Sequence, residues 1–179
     1  MMYHPFHRII GNLFIEEDFP ECQILKDNAC GGNHHLPLFG SEVKSNKTAI
    51  CNSDLLIVKN NKVRVILEIE ESNLKPIQIC GKILTSAIAR FYIHETNNDI
   101  PLPMDDSVTF IQILNSSILQ EGNTKKDQWE NVQHYLNEIL PLNKIKKFRT
   151  ICGSNNNFMN RTSGKGYELI FYSKSQVLR

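Results

Sequence analysis

The chain has 179 residues, of which 41% are hydrophobic and 22% charged, and its formal net charge is +1. This length and composition suit one globular domain, 1–179, and exclude a largely disordered chain. The charge neither requires nor excludes nucleic acid as a partner. A DNA-binding protein of this charge must gather its basic residues on one face.

The sequence favours a soluble, cytoplasmic protein without a membrane partner. No apolar run is long enough to span a bilayer, and Met1 to Phe14 lacks the order of a signal peptide. The cysteines are odd in number and form no C-x-x-C pair, which indicates reduced thiols. They are Cys22, Cys30, Cys51, Cys80 and Cys152.

Hydrophobic spacing predicts an α/β chain with antiparallel components. Helices are expected over Pro5–Glu17, from Pro76 to about Phe91, and over Thr124–Leu140. In the second helix, the apolar stripe of Ile77, Cys80, Leu84 and Ile88 should face the sheet. Loops are expected at Cys30–Pro37 and Asn155–Asn160, with breaks at Pro101 and Pro103. Strands are expected at Glu21–Leu25, Glu42–Ser45, Asp54–Val58, Val63–Glu70, Val108–Leu114, Lys146–Ile151 and Tyr167–Tyr172.

Two acids occupy one face of a strand that is otherwise mostly apolar. Glu68 and Glu70 are two residues apart, so their side chains share a face. Asp54 begins the preceding strand, and a hairpin turn at Asn60-Asn61 would return the chain beside it.

The hydrophobic pattern predicts the register of this hairpin. If Leu55 pairs with Leu67 and Ile57 with Val65, all four face one core and Asp54 lies opposite Glu68. A strict two-residue loop would shift the pairing by one, so we expect a three-residue or bulged turn.

Converging carboxylates are hard ligands that suit Mg²⁺ or Mn²⁺. Asp54, Glu68 and Glu70 are therefore candidate metal ligands. The alternative, a solvated strand face with outward charges, has about equal weight for any acid pair at this spacing.

The pattern Asn52-Ser53-Asp54, then Leu67-Glu68-Ile69-Glu70 and a helix, resembles the PD-(D/E)xK nuclease superfamily. The resemblance implies a restriction-endonuclease-like core, a mixed central sheet flanked by helices, with metal held by Asp54 and Glu68. Glu70 stands where the family usually has lysine, as in the type II restriction enzymes that carry Glu-x-Glu. It would bind metal or act as a base. Lys82, on the next helix with Gln78 one turn before it, is a candidate substitute lysine, with an ordinary solvated lysine as the slightly better-supported alternative.

Basic residues late in the chain are candidates for contact with DNA phosphates, although a solvated surface explains them equally well. They are Lys146, Lys147, Arg149, Arg161 and Lys165. Glu42 is a further candidate acid, with an ordinary surface glutamate as the better-supported alternative. A zinc site made by Cys22, Cys30, His34 and His35 is disfavoured by their spacing.

Together these features predict a Mg²⁺-dependent endonuclease of double-stranded DNA, most simply a homodimeric type II restriction enzyme, because one chain supplies one site for two strands. Two alternatives remain open. One is a repair or junction-resolving nuclease of the same fold, and the other is a non-catalytic DNA-binding or interaction module.

Overall fold

The computed structural model describes residues 4–72, 75–118 and 125–178. In these ranges no helix is both long and apolar enough to cross a membrane. The helices are α1 Pro5–Leu13, α2 Pro76–Ile88, α3 Lys125–Glu138, α4 Asn155–Phe158 and α5 Gly164–Val177. The strands are β1 Cys22–Lys26, β2 Leu36–Phe39, β3 Ala49–Ser53, β4 Leu55–Lys59, β5 Lys62–Glu70, β6 Phe91–Tyr92, β7 Leu102–Asn115 and β8 Ile145–Gly153.

The described strands form one mixed sheet, which confirms the α/β class. Its order is β1-β4-β5-β7-β6-β2-β3, and β8 also pairs with β7. Most neighbours are antiparallel, whereas β5 with β7 and β7 with β8 are parallel. Parallel neighbours need a crossover connection. The chain supplies α2 between β5 and β7, and α3 between β7 and β8.

Both faces of the central strands are buried, because successive side chains alternate between two hydrophobic cores. On the first face, Ile66 and Phe110 pack with Ile79 and Ile83 of α2 and with Trp129 of α3. We call this the α2 face. On the other, the α1 face, strand residues pack with residues of α1 and α5, among them Leu67, Ile111, Phe6, Ile10 and Leu169.

The predicted hairpin register is confirmed. Leu55 pairs with Leu67 and Ile57 with Val65, and all four lie in the α1-face core. The turn itself is a two-residue loop, since Lys59 pairs with Lys62. A bulge lies next to it, because Val58 pairs with Val63 and Ile57 with Val65. The bulge restores the register that a strict two-residue loop would have shifted.

The last predicted strand, Tyr167–Tyr172, is wrong, because these residues lie in α5. Aromatic and β-branched residues favour a strand locally. Burial at helical spacing on the α1 face overrides this preference, as Leu169, Ile170, Ser173 and Val177 show. The polar segment Asn155–Asn160 also contains a helix, α4, whose N-terminus has a capping box between Ser154 and Asn157.

The first half of the sheet also differs from expectation. Glu42–Ser45 forms bends between β2 and β3 rather than a strand, and the predicted loop Cys30–Pro37 runs into β2. The predicted break is wrong at Pro103, which lies in β7 opposite Phe91, whereas Pro101 stands just before β7 begins at Leu102. The first helix is shorter than predicted and ends at Leu13.

The orientation of α2 corrects the predicted apolar stripe. Ile77, Leu84 and Ile88 are 77%, 46% and 59% exposed, while Ile79 and Ile83 are buried against the sheet. Helical spacing is satisfied by either set, so periodicity could not choose between them. The buried face is the one that also directs Lys82 toward the strand acids.

The hairpin loop should tolerate glycine better than alanine at Asn60. Asn60 and Asn61 have φ values of 53° and 57°, in the left-handed region where a side chain costs free energy. We expect Asn60→Ala to lower the free energy of unfolding by about 1 kcal/mol and Asn60→Gly to leave it equal or higher. Urea denaturation of the two variants tests this, and equal losses in both would contradict it.

Candidate functional site

Asp54 lies at the junction where the chain leaves β3 and enters β4. Its Oδ2 accepts a hydrogen bond from the backbone N–H of Ile69, at 2.6 Å. The preceding Ser53 hydroxyl lies 3.2 Å from the Leu67 carbonyl oxygen, to which it donates. These two contacts hold the Asp54 carboxylate against the strand that carries Glu68 and Glu70.

The ammonium of Lys82 reaches all three predicted acids. Its Nζ lies 2.7 Å from Glu68 Oε2, 3.3 Å from Glu70 Oε1 and 4.0 Å from Asp54 Oδ2. Lys82 leaves α2 on the side that faces β5, one turn after Gln78. The structure therefore brings the four predicted residues together, with direct contact between Lys82 and Glu68. We call Asp54, Glu68, Glu70 and Lys82 the acidic cluster.

Burial makes this cluster electrostatically unusual. Glu68 is 1% exposed and Glu70 is 9% exposed. Desolvation, reinforced by the nearby Asp54 charge, raises the pKa of Glu68 from 4.5 to about 8. Desolvation likewise raises the pKa of Asp54 and of Glu70, against the opposing charge of Lys82. Burial alone would lower the pKa of Lys82, but the three carboxylates outweigh it and raise that pKa.

Polar atoms around the cluster are incompletely paired. Gln112 of β7 is fully buried and lies opposite Glu68 in the register, yet both of its amide atoms lack a hydrogen-bond partner among the described residues. The same holds for Gln78 Oε1 and for Glu70 Oε1, which makes an ion pair with Lys82 but no hydrogen bond. Buried polar atoms without a protein partner are uncommon, and ordered water is an ordinary partner for them.

The acids of the cluster offer carboxylate oxygens, the type of ligand that Mg²⁺ takes, usually from one or two carboxylates with several waters. Three carboxylates face one ammonium, so the cluster has an excess of negative charge when all are ionised. The three carboxylates do not lie close enough together for all of them to be direct ligands of one ion. Across 4–72, 75–118 and 125–178, only His4, His7 and Glu71 place three ligand atoms within 4.8 Å of one another.

Sequence reasoning missed these three residues beside the cluster. His7 Nε2 lies 3.9 Å from Asp54 Oδ2, while its Nδ1 lies 3.0 Å from Glu71 Oε2. His4 Nδ1 lies 3.4 Å from the same oxygen. The available signals were the His4–His7 spacing near a helix start and the acid that follows Glu70. Neither shows that α1 packs beside the end of β5.

The five basic residues predicted to contact DNA are not brought to the acidic cluster. Lys147 and Arg149 pair in register with Thr109 and Ile111, and Ile111 belongs to the α1-face core. They bind Gln176 and Glu168 of α5, and Lys165 also binds Glu168. Arg161 binds Asp18, and Lys146 binds the Asn143 carbonyl oxygen.

The remaining candidates are placed apart from one another. Glu42 is exposed in a bend, not on the strand expected for it. The histidine His34 stacks on His94, with 4.2 Å between ring centroids, and lies 3.3 Å from the Tyr92 hydroxyl. His34, His35, Cys22 and Cys30 do not form a metal-ligand group in the described part of the chain, and all five cysteines are free thiols.

Comparison of the chain with family models, curated proteins and solved structures found no match.

Removing one carboxylate should stabilise the metal-free protein. A raised folded-state pKa means that folded Glu68 retains its proton between about pH 4.5 and 8. Unfolded Glu68 loses it there, so stability falls as pH rises through this window. We expect Glu68→Gln, measured by thermal unfolding in EDTA, to melt roughly 5 °C above wild type at pH 8.5 and to converge with it near pH 4.5.

The exposed acid Glu95 provides the control, since Glu95→Gln removes the same charge outside the cluster. This control should show no comparable gain at pH 8.5. A Glu68→Gln protein less stable than wild type throughout the pH range would show that the Lys82 ion pair outweighs the burial of the charge.

Proposed function

We propose that this protein is a metal-dependent endodeoxyribonuclease that hydrolyses phosphodiester bonds of double-stranded DNA. The proposal rests mainly on the acidic cluster, in which three largely buried carboxylates surround one ammonium at the end of a central strand. We further propose that the chain is a type II restriction enzyme of the PD-(D/E)xK kind, with Glu70 in the position that is usually lysine.

A purely structural role explains the cluster poorly. A buried ion pair is already costly to desolvate, and here the second and third carboxylates add repulsion. Strongly shifted pKa values from burial and neighbouring charge are typical of functional sites. A divalent cation would relieve the repulsion between Asp54 and Glu68, and a phosphate would meet the Lys82 ammonium.

The side chains have distinct proposed roles. Asp54 and Glu68 would hold Mg²⁺, with Mn²⁺ as a substitute, and Glu70 would hold metal or orient the attacking water. When bound, the ion supplies Lewis acidity toward the scissile phosphate. Lys82, whose side chain is 37% exposed, would stabilise the charge that develops on the phosphate.

The local fold supports this proposal. A hairpin presents Asp54 beside Glu68, and the helix that follows returns Lys82 to the same acids. These features agree with the restriction-endonuclease-like core that the sequence resembles, and we propose that core for the chain. Backbone contact at Ile69 fixes Asp54, so the arrangement is pre-organised rather than dependent on loops.

Cleavage of both DNA strands would need two such clusters, so we propose a homodimer. The exposed apolar stripe of α2, formed by Ile77, Leu84 and Ile88, is a surface that such a dimer could cover. Contacts with phosphates by Lys146, Lys147, Arg149, Arg161 and Lys165 remain part of the proposal. Most of these side chains lie near α5, on the α1 face, whereas the acidic cluster lies on the α2 face. A DNA duplex bound at the cluster would therefore have to pass around the edge of the sheet to reach them.

Loss of a metal-binding carboxylate should abolish cleavage without unfolding the protein. We expect Asp54→Asn and Glu68→Gln to reduce Mg²⁺-dependent cleavage of plasmid DNA by at least about 100-fold, because each removes charge that holds the ion. DNA affinity in Ca²⁺ should change little. The matched control, Glu95→Gln, should cleave as wild type does.

The same assay separates the proposal from its alternatives. Discrete fragments from plain duplex DNA support a restriction enzyme, whereas cleavage confined to branched or damaged DNA indicates a repair or junction-resolving nuclease. A wild-type protein that binds DNA but does not cleave it with Mg²⁺ or Mn²⁺ would instead be a binding module.

Lys82 should matter for rate more than for affinity. Lys82→Ala removes the ammonium that faces the carboxylates, so we expect single-turnover cleavage to slow about 100-fold while the Kd for DNA changes by less than about threefold. Lys44→Ala, which removes an exposed lysine paired with Asp99, is the control. Equal loss of rate and affinity in Lys82→Ala would assign Lys82 to DNA binding alone.

A further inference from the structure

We propose that His4, His7 and Glu71 form a second metal site that takes a borderline transition-metal ion, of which Zn²⁺ is the model. This site is distinct from the acidic cluster, and its donor atoms are contributed by the start of α1 and the residue after β5. The inference does not depend on the proposed nuclease activity.

The donor atoms lie close to the spacing that a shared ion requires. Ligands that bind Zn²⁺ tetrahedrally at about 2.0 to 2.2 Å lie roughly 3.3 to 3.6 Å from one another. Glu71 Oε2 is 3.0 Å from His7 Nδ1 and 3.4 Å from His4 Nδ1, and the three donors lie within 4.8 Å of one another. Small adjustments of the rings would complete the geometry.

Donor chemistry separates this site from the acidic cluster. Two imidazole nitrogens and one carboxylate suit Zn²⁺ and its neighbours, whereas Mg²⁺ prefers oxygen alone. All three residues are partly buried, so an ion can enter from solvent. Three protein ligands would leave a fourth position for water or another small ligand.

The surrounding contacts orient these donors. Glu71 Oε1 accepts a hydrogen bond from the Phe6 backbone N–H at 3.0 Å, which leaves Oε2 directed at the two histidines. His7 turns its second nitrogen toward Asp54, at 3.9 Å. Histidines that bind metals commonly turn their other ring nitrogen toward a carboxylate, which fixes the ring.

A metal-free explanation uses the same contacts. Glu71 would then cap the start of α1 and accept one hydrogen bond from His7. His4 would form an ion pair with the same oxygen, 3.4 Å from its Nδ1, and its ring meets the His7 ring edge-on at 5.2 Å between centroids. The two explanations differ in whether the protein binds Zn²⁺ through these residues.

The test is calorimetric titration of ZnCl₂ into the full chain, purified without a histidine tag and stripped of metal. We expect one strong site in wild type and an affinity at least about 30-fold lower in His4→Ala and in Glu71→Gln. Saturating Zn²⁺ should raise the Tm of wild type by roughly 5 °C or more, and that of His4→Ala by much less.

Two controls keep this test specific. His35→Ala removes an exposed histidine elsewhere and should bind Zn²⁺ as wild type does. Glu68→Gln damages the acidic cluster and should also keep the strong Zn²⁺ site. Glu71 also caps α1, so Glu71→Gln is expected to lose some stability. The His4 side chain is 38% exposed, so His4→Ala is the variant that decides the test.

Absence of strong Zn²⁺ binding in wild type would overturn the proposal, and so would strong binding that persists in His4→Ala. Neither result would bear on DNA cleavage, which is measured separately with Mg²⁺. Conversely, Zn²⁺ binding at this site without DNA cleavage would support the second metal site and contradict the proposed nuclease activity.

Discussion

The contact between the Lys82 ammonium and three carboxylates constrains the rest of this fold. It requires β5 to present Glu68 and Glu70 on the α2 face, and α2 to turn Lys82 inward. It also requires the hairpin to return Asp54 within reach, at 4.0 Å. A one-residue slip anywhere in the hairpin would move the acids to the opposite core, so register and charge placement depend on each other.

This arrangement accepts a local cost in stability. The apolar strands on either side could bury leucine or valine at these positions, with gain rather than loss of packing free energy. Instead the chain keeps ionisable groups there, and beside them Gln112 and Gln78 retain unpaired amide atoms in the described structure. Such local departures from good packing are typical where a protein uses a site rather than merely folds around it.

The sequence allowed prediction of the hairpin and its register, because these depend on residues close in the chain and on two-residue alternation. It offered Lys82 only as a candidate, beside the better-supported interpretation of a solvated helix lysine. It did not allow prediction of α5, whose aromatic run favours a strand until packing against the α1 face is known. The buried side of α2 was also misassigned, since both candidate stripes are apolar. His7 escaped notice because 64 positions separate it from Glu71, and only tertiary packing brings them together.

Polar contacts around the sheet span very different distances along the chain. The acidic cluster joins residues from one continuous segment, Asp54 to Lys82, whereas Lys174 of α5 reaches back 156 positions to bind Asp18. Closing so long a loop costs conformational entropy, and contacts between residues far apart in sequence therefore form slowly. During synthesis, the part of the α1 face that α5 covers must therefore wait for α5 to emerge, whereas α1 is available from the start to cover the rest. Apolar strand surface that is exposed in this interval is the kind that makes partly folded chains prone to aggregation.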